Sequence, residues 1–245
     1  MPAVFVHGVP DTDRVWHRTL RALGGIEAVC VRLPGFGCPR PPGFGATKDD
    51  YAAWLLARLE EIEGPIDLVG HDWGGLLVLR ALSLAPDCAR SWAVGGAPLD
   101  PDYRWHALAR RWQTPLLGEL TMACFTPGRT RRALAKAGVP PDDAAAATAA
   151  IDREMKDAVL RLYRSARHVG REWAPELDRI RAPGRVLWGA LDPYAAPRFG
   201  AALARRTGAA FSCFEGCGHW WPCERPAAVA EALTGLWQQA GPNDA

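Results

Sequence analysis

Residues 66–82 read IDLVGHDWGGLLVLRAL, and this stretch decides the fold. The apolar run at 66–69 is typical of a buried strand, and the longer apolar run at 76–82 is typical of a helix. Between them glycines flank the central residue, Asp72. This spacing predicts a sharp strand-to-helix turn, because glycine tolerates the close backbone approach that such a turn requires. The side chain of Asp72 is therefore expected to project at the helix N-terminus, where the helix dipole favours a negative charge.

Alternation of strands and helices extends along the chain in both directions from this turn. Short apolar segments predict strands at 3–7, 28–33, 66–69, 91–95, 185–189 and 210–215. Helical patterns follow at 15–23, 48–63, 74–85, 197–206 and 226–239. Such alternation predicts an α/β protein with a doubly wound, mostly parallel sheet.

Three further landmarks stand at the ends of predicted strands. The segment His7-Gly8-Val9-Pro10 follows the first strand, Asp192 follows the fifth, and His219 follows the sixth. Together with Asp72 they give the order nucleophile, acid, histidine that the nucleophile-elbow motif requires. With its HDWGG segment, the chain resembles the α/β-hydrolase superfamily over nearly its whole length. Within that superfamily it is similar to the branch that contains epoxide hydrolases and haloalkane dehalogenases.

The resemblance implies an α/β-hydrolase fold with two departures from the usual pattern. The strand pair that normally precedes the HGxP strand is lacking, so segment 28–33 is expected at the edge of the sheet. Because proteins normally cover exposed edge strands, dimerisation through this edge stays open. The polar, helical segment 98–182 is similar to a reduced helical cap, which leaves 1–97 and 183–245 as the core.

An aspartate nucleophile predicts a chemistry different from that of a serine. Asp72 is ionised at neutral pH, so it is suited to attack at a saturated carbon, giving an alkyl ester of the enzyme. His219 would then deprotonate a water that attacks this ester, and Asp192 would orient the imidazole. By resemblance, the backbone N–H groups of Val9 and Trp73 form the oxyanion hole.

The leaving group is the main choice that the sequence leaves open. An epoxide needs an acid opposite the nucleophile, and Tyr163 and, less well placed, Tyr103 resemble the cap tyrosines of epoxide hydrolases. A halide needs N–H donors, which the indole of Trp73 and a cap tryptophan, Trp105, Trp112 or Trp173, would supply. Haloalkane dehalogenases often carry asparagine where this chain has Val9, and relatives that cleave the haloacid fluoroacetate carry arginine where it has Trp73. Epoxide opening is therefore favoured, with haloalkane or haloacid dehalogenation as the alternative. A member of the superfamily that binds a ligand without turnover is the third hypothesis, although binding alone requires no triad.

Composition excludes several other classes of function. A net charge of +2 over 245 residues gives no argument for binding nucleic acid or an anionic membrane, and the expected partners are a small apolar organic substrate and water. Seven cysteines without an export signal predict reduced thiols in a cytoplasm. Cys213, Cys217 and Cys223 lie near His219, but their spacing matches no common zinc site, so neither a metal nor a cofactor is predicted.

Overall fold

The computed structural model describes residues 1–241, in which a parallel sheet lies between two layers of helices. The strands are β1 (Ala3–Val6), β2 (Ala28–Val31), β3 (Asp67–His71), β4 (Ser91–Gly95), β5 (Gly184–Gly189) and β6 (Ala210–Phe214). They are ordered β2-β1-β3-β4-β5-β6, and every neighbouring pair is parallel. The predicted doubly wound parallel sheet is therefore confirmed.

The helices fill the connections between these strands. They are α1 (His17–Ala22), α2 (Lys48–Glu60), α3 (Trp73–Leu84), α4 (Ala107–Gln113), α5 (Leu117–Ala123), α6 (Pro127–Lys136), α7 (Pro141–Ala149), α8 (Arg153–Ser165), α9 (Val169–Trp173), α10 (Pro197–Thr207), α11 (Trp221–Glu224) and α12 (Pro226–Gln239). The predicted helix at 15–23 is divided, since its first residues belong to a 3-10 turn, Asp13–Trp16. None of the helices within 1–241 is long and apolar enough to cross a membrane.

Successive residues of the central strands supply two different cores. Val4 and Leu68 point to the side of α2, α3 and α10, whereas Phe5 and Val69 point to the side of α1 and α12. All four side chains are fully buried. Because burial of such a side chain contributes about 1.5–3 kcal/mol, the two-sided packing holds the ends of the central strands in place.

The edge position predicted for segment 28–33 is confirmed. β2 pairs with β1 alone, and Val29 is 39% exposed. Dimerisation through this edge stays a prediction.

Between β4 and β5 lie helices α4 to α9 and a second 3-10 turn, Ala174–Arg179. Helices α4, α5 and α8 pack against one another, and the buried side of α8 carries Met155, Val159 and Tyr163. The division into a core and a cap at 98–182 stays a prediction, but these helices supply one wall of the cavity described below.

Candidate active site

Asp72 lies at the turn between β3 and α3 in a strained backbone conformation, with φ 53° and ψ −120°. Its backbone N–H donates to the carbonyl of Gly95 at 2.9 Å, which ties the turn to the end of β4. A Cβ atom on Gly70 would lie 2.6 Å from the carbonyl oxygen of Gly74, so the turn cannot close around a larger residue there. Positive φ at a non-glycine residue costs about 1–3 kcal/mol, which the surrounding packing must offset.

His219 links Asp72 to Asp192. Its Nδ1 donates to Asp192 Oδ2 at 2.7 Å, and its Nε2 lies 3.6 Å from Asp72 Oδ1. The other oxygen of Asp192 accepts the backbone N–H groups of Tyr194 at 2.8 Å and Ala195 at 3.0 Å. The structure thus brings together the three residues that the sequence predicts as nucleophile, base and acid. With Nδ1 engaged by Asp192, the other ring nitrogen of His219 faces Asp72.

The charges in this group depend on one another. Burial alone would lower the pKa of His219, but the Asp192 and Asp72 carboxylates more than offset it and raise the pKa to about 10. Burial would likewise raise the pKa of Asp72, but the hydrogen bond and charge of His219 hold it below its usual value. Asp72 is therefore ionised in the resting site. Once esterified, Asp72 would lose its charge, and the pKa of His219 would fall toward the range of a general base.

The backbone N–H of Val9 donates to Asp72 Oδ2 at 2.8 Å, as the predicted oxyanion turn requires. This contact leaves Asp72 Oδ1 as the oxygen available for attack. His7 stabilises the turn at residues 7–10, because its Nε2 accepts the backbone N–H of Leu33 at 3.0 Å. Among residues 1–241 the backbone N–H of Trp73 makes no hydrogen bond to the carboxylate, so its part in the oxyanion hole stays a prediction.

A cavity of about 270 Å³ opens over Asp72 and His219 and reaches Tyr163 on α8. The Tyr163 ring packs 4.9 Å from Trp112, 5.2 Å from Trp105 and 5.5 Å from Trp73, measured between centroids. Burial raises the pKa of its hydroxyl well above the ordinary value, and the Asp72 charge adds to the rise. The hydroxyl therefore keeps its proton at neutral pH and is a donor facing the same space as the nucleophile.

Tyr103 is not brought to the nucleophile. Its hydroxyl donates to the carbonyl of Tyr194 at 3.0 Å, and its ring packs 5.3 Å from Phe199. It lines a separate cleft. Because its hydroxyl is engaged by the Tyr194 carbonyl, the predicted role of Tyr103 as a second ring-opening acid stays a prediction.

The four tryptophans considered as halide donors occupy different surroundings. The indole N–H of Trp105 donates to the carbonyl of Ala166 at 3.1 Å, and the Trp173 ring lies beneath Lys48. The indole N–H groups of Trp73 and Trp112 are buried and have no hydrogen-bond partner among residues 1–241. Only Trp112 also lines the cavity, so it is the cap indole best placed to donate.

His106 and Tyr194 line the cavity but were not predicted as site residues. His106 is the N-cap of α4, where Nδ1 accepts the backbone N–H of Ala109 at 3.2 Å. Burial lowers the pKa of His106 to about 4, so the neutral ring carries its proton on Nε2. Tyr194 packs its ring 5.0 Å from that of His219. The sequence offered one signal for each residue: His106 stands directly before a helical pattern, and Tyr194 follows Asp192 by two positions.

The comparison with known families agrees with this geometry. The sequence profile described as the alpha/beta hydrolase family matches residues 3–232. The chain belongs to the alpha/beta hydrolase family.

Individual relatives are more distant. A haloalkane dehalogenase of Psychrobacter cryohalolentis is 29% identical over 121 residues, which cover 46% of this chain and 39% of that protein. An epoxide hydrolase of Caballeronia sordidicola is 33% identical over 92 residues, covering 35% of this chain and 28% of that protein. The matches thus span well under half the length of these relatives. The crystal structure of the haloalkane dehalogenase DbeA from Bradyrhizobium elkani has a TM-score of 0.78 at 22% identity, covers 97% of this chain and 91% of that chain, and shows the same fold.

The cysteines near His219 do not converge on it. Cys213 is exposed, whereas Cys217 and Cys223 are buried, and burial raises the pKa of the Cys217 thiol to about 12. Within residues 1–241 no group of three or more histidine, cysteine, aspartate or glutamate side chains is placed to hold a metal ion.

A further buried carboxyl, that of Asp11, is connected to His219 through His71. Asp11 accepts the indole N–H of Trp220 at 2.9 Å and lies 3.9 Å from Nδ1 of His71. Nε2 of His71 in turn contacts the carbonyl of His219 at 3.0 Å. Burial raises the pKa of Asp11 to about 7, and burial lowers the pKa of His71 to about 3, so this pair is uncharged below neutral pH.

Asp11→Asn is expected to stabilise the fold above pH 7. A carboxyl whose pKa rises from 3.8 to about 7 on folding binds its proton more tightly in the folded chain, so the free energy of unfolding falls as pH rises through that interval. Asparagine does not titrate and escapes this loss, which is on the order of 4 kcal/mol. Urea unfolding across the interval measures it. The exposed control Asp87→Asn should follow the native profile, and an Asp11→Asn profile parallel to the native one would contradict the prediction.

Proposed function

We propose that this α/β-hydrolase opens an epoxide through an alkyl ester on Asp72 and hydrolyses the ester to a vicinal diol. The observation that carries the proposal is the Tyr163 hydroxyl, which shares one cavity with the ionised Asp72 and with His219. A neutral hydroxyl facing a carboxylate nucleophile is the arrangement that ring opening requires, because the leaving oxygen departs as an alkoxide and needs a proton.

In the first step, Asp72 Oδ1 attacks an epoxide carbon while Oδ2 keeps its hydrogen bond from Val9. A carbon–oxygen bond of the ring breaks, and the proton of the Tyr163 hydroxyl passes to the alkoxide. The Nε2–H of His106, fixed by the contact of Nδ1 with Ala109, supplies a second hydrogen bond to the same oxygen. This role replaces the one predicted for Tyr103, which has no part in the scheme.

In the second step, the His219 imidazolium, whose pKa falls once Asp72 is esterified, first passes its proton through solvent to the Tyr163 phenolate. Neutral His219 then takes a proton from water, and the resulting hydroxide attacks the carboxyl carbon of the Asp72 ester. Asp192 stabilises the imidazolium that forms, through the 2.7 Å hydrogen bond to Nδ1. The oxyanion develops on Oδ2, where the Val9 N–H already donates, and loss of one such donor typically costs about 3 kcal/mol. Collapse expels the diol oxygen, which takes the proton of the added hydroxyl, so that Asp72 is again a carboxylate and His219 again an imidazolium, as in the resting enzyme.

A haloalkane dehalogenase is the second candidate. The specific observation in its favour is that the buried indole N–H groups of Trp73 and Trp112 lack partners within the described chain. Indole donors of this kind stabilise a departing halide, and the first step would otherwise be the same. A ligand-binding protein without turnover would need none of the contacts that join Asp72, His219 and Asp192.

Tyr163→Phe distinguishes the two leaving groups. The change removes the hydroxyl and keeps the ring that packs on Trp105 and Trp112, so the fold should survive. Epoxide turnover should fall by a factor on the order of 10²–10⁴, because a positioned general acid is lost. Alkylation of Asp72 should slow, while hydrolysis of an ester that has already formed should not. Stopped-flow kinetics with excess enzyme separates the two steps.

The substrates for this test are a small panel of epoxides and haloalkanes, scored for diol and halide. As a matched control, Tyr51→Phe removes a buried hydroxyl that donates to the carbonyl of Pro34 and does not line the cavity. Full epoxide turnover in Tyr163→Phe would remove Tyr163 from the mechanism. Halide release by the native protein with no diol from any epoxide, together with loss of that release in Trp73→Phe, would establish the dehalogenase instead.

A further inference from the structure

The first turn of α6 places two polar side chains in an otherwise apolar part of the cavity. Arg129 and Thr130 both line it, beside Leu108, Phe125 and Leu134. Thr130 is only 7% exposed, and the part of it that is accessible lines the cavity. A hydroxyl in the wall of a largely apolar cavity is one of the few polar groups there that can form a hydrogen bond with a ligand and so orient it.

Arg129 adds a positive charge at the solvent-exposed end of the same cavity. Its guanidinium forms no ion pair with any described residue, whereas many other arginines of this chain do. Both residues lie in the first turn of α6, whose N-cap, Thr126, makes no side-chain capping hydrogen bond, so the positive end of the helix dipole is not compensated by a cap. The charge of Arg129, the dipole of α6 and the hydroxyl of Thr130 all favour an anionic ligand in this part of the cavity.

The net charge of the triad bears on the binding of an anionic substrate. Asp72 and Asp192 are both ionised and His219 carries one positive charge, so the triad has an excess of negative charge. An anionic substrate would be repelled by this excess. The Arg129 guanidinium would offset this repulsion and orient the substrate with its neutral end toward Asp72.

We infer that the substrate bears a carboxylate, held by the Arg129 guanidinium and the Thr130 hydroxyl, with the epoxide at its other end. The inference rests on the proposed function, which it narrows to short epoxy acids. The apolar side chains between α6 and the triad fit a hydrocarbon body, and the volume of about 270 Å³ limits its length. A planar guanidinium is well matched to a carboxylate, since it can donate two parallel hydrogen bonds.

The test compares a short epoxy acid with its primary amide, which has the same skeleton and no charge. In the native protein kcat/KM should favour the acid. In Arg129→Gln the ratio of kcat/KM for acid over amide should fall by a factor of about 10–100, the range expected for a charge-assisted hydrogen bond. Thr130→Val should lower the same ratio about 3- to 10-fold, and Thr130→Ser should restore it. Arg132→Gln, an exposed arginine of the same helix outside the cavity, should keep the native ratio.

The outcomes separate the two proposals. Turnover of both epoxides with no preference for the acid, or an equal loss in Arg129→Gln and Arg132→Gln, overturns the carboxylate site and leaves the epoxide hydrolase standing. If neither epoxide is turned over, calorimetry with the saturated acid and amide, which lack the ring, still decides. Tighter binding of the acid that is lost in Arg129→Gln supports the site, and equal binding of acid and amide overturns it.

Discussion

Asp72→Asn is expected to lower turnover by a factor on the order of 10⁴ or more, the size typical for loss of a covalent nucleophile. Asparagine keeps the shape of the side chain and can still accept the hydrogen bond from Val9, so the strained turn is preserved. The amide oxygen carries no charge, however, and does not displace an alkoxide or a halide. Product release under single-turnover conditions measures the loss. Asp142→Asn, at an exposed carboxylate of α7, is the matched control and should behave as the native protein.

The native protein gives an independent check of the covalent route. In heavy-oxygen water and with enzyme in excess, the water oxygen should enter the Asp72 carboxyl, and the first diol should carry the old carboxylate oxygen. Mass spectrometry of the peptide that contains Asp72 locates the label. Label in the product alone after one round would mean that water attacks the substrate directly, and Asp72 would then be at most an electrostatic contributor.

The elbow and the triad could be predicted from sequence because the determinants of each are local. Asp72 needs a strand, a turn with glycine at defined positions, and a helix, all within 66–82. Asp192 and His219 each need only follow a strand, since the carboxyl ends of parallel strands meet at one edge of the sheet. The 2.7 Å hydrogen bond between them follows from this topology.

The C-terminal end of β3 shows that pairing with a neighbouring strand, as well as the local sequence pattern, determines the length of a strand. The apolar run ends at Val69, whereas the strand continues to His71. Gly70 and His71 have little strand preference of their own, but they pair with Val94 and Gly95 of β4. The pairing partner, which lies more than twenty positions away, therefore decides where the strand ends and the turn begins.

The wall opposite the nucleophile was harder to predict because it depends on how helices pack. The structure places Tyr163 in the cavity wall, whereas the hydroxyl of Tyr103 donates to the carbonyl of Tyr194 and its ring packs on Phe199, a contact that nothing in its neighbourhood in the sequence indicates. His106, three positions later, occupies the cavity instead. From the sequence alone, Arg129 is likewise indistinguishable from any other surface arginine. Its place in the cavity wall depends on how α6 packs. Such assignments need tertiary structure, because periodicity gives a helix face but not its partner.

His219→Gln is expected to stop the reaction half-way. The first step needs the Asp72 carboxylate as nucleophile and an acid on the leaving oxygen, and His219 is neither of these, although it helps to keep Asp72 ionised. The second step needs a base for water, which glutamine cannot supply, so the alkyl ester should accumulate. Intact-protein mass should rise by the mass of one substrate molecule. Steady-state turnover should fall by a factor on the order of 10⁴ or more.

The pKa relations in the site set the conditions for this experiment. His219 holds the pKa of Asp72 down against burial, which acts to raise it. Without the imidazole, part of Asp72 should be protonated at neutral pH and alkylation should slow, so the mass shift should appear faster as the pH is raised. An ester that accumulates shows that His219 is the base for water, and a rate of ester formation that rises with pH shows that His219 lowers the pKa of Asp72. His168→Gln, at an exposed histidine before α9, should gain no mass and should turn over substrate normally. An unmodified His219→Gln protein at every pH, with a substrate that the native protein consumes, would show that His219 is needed before the ester forms.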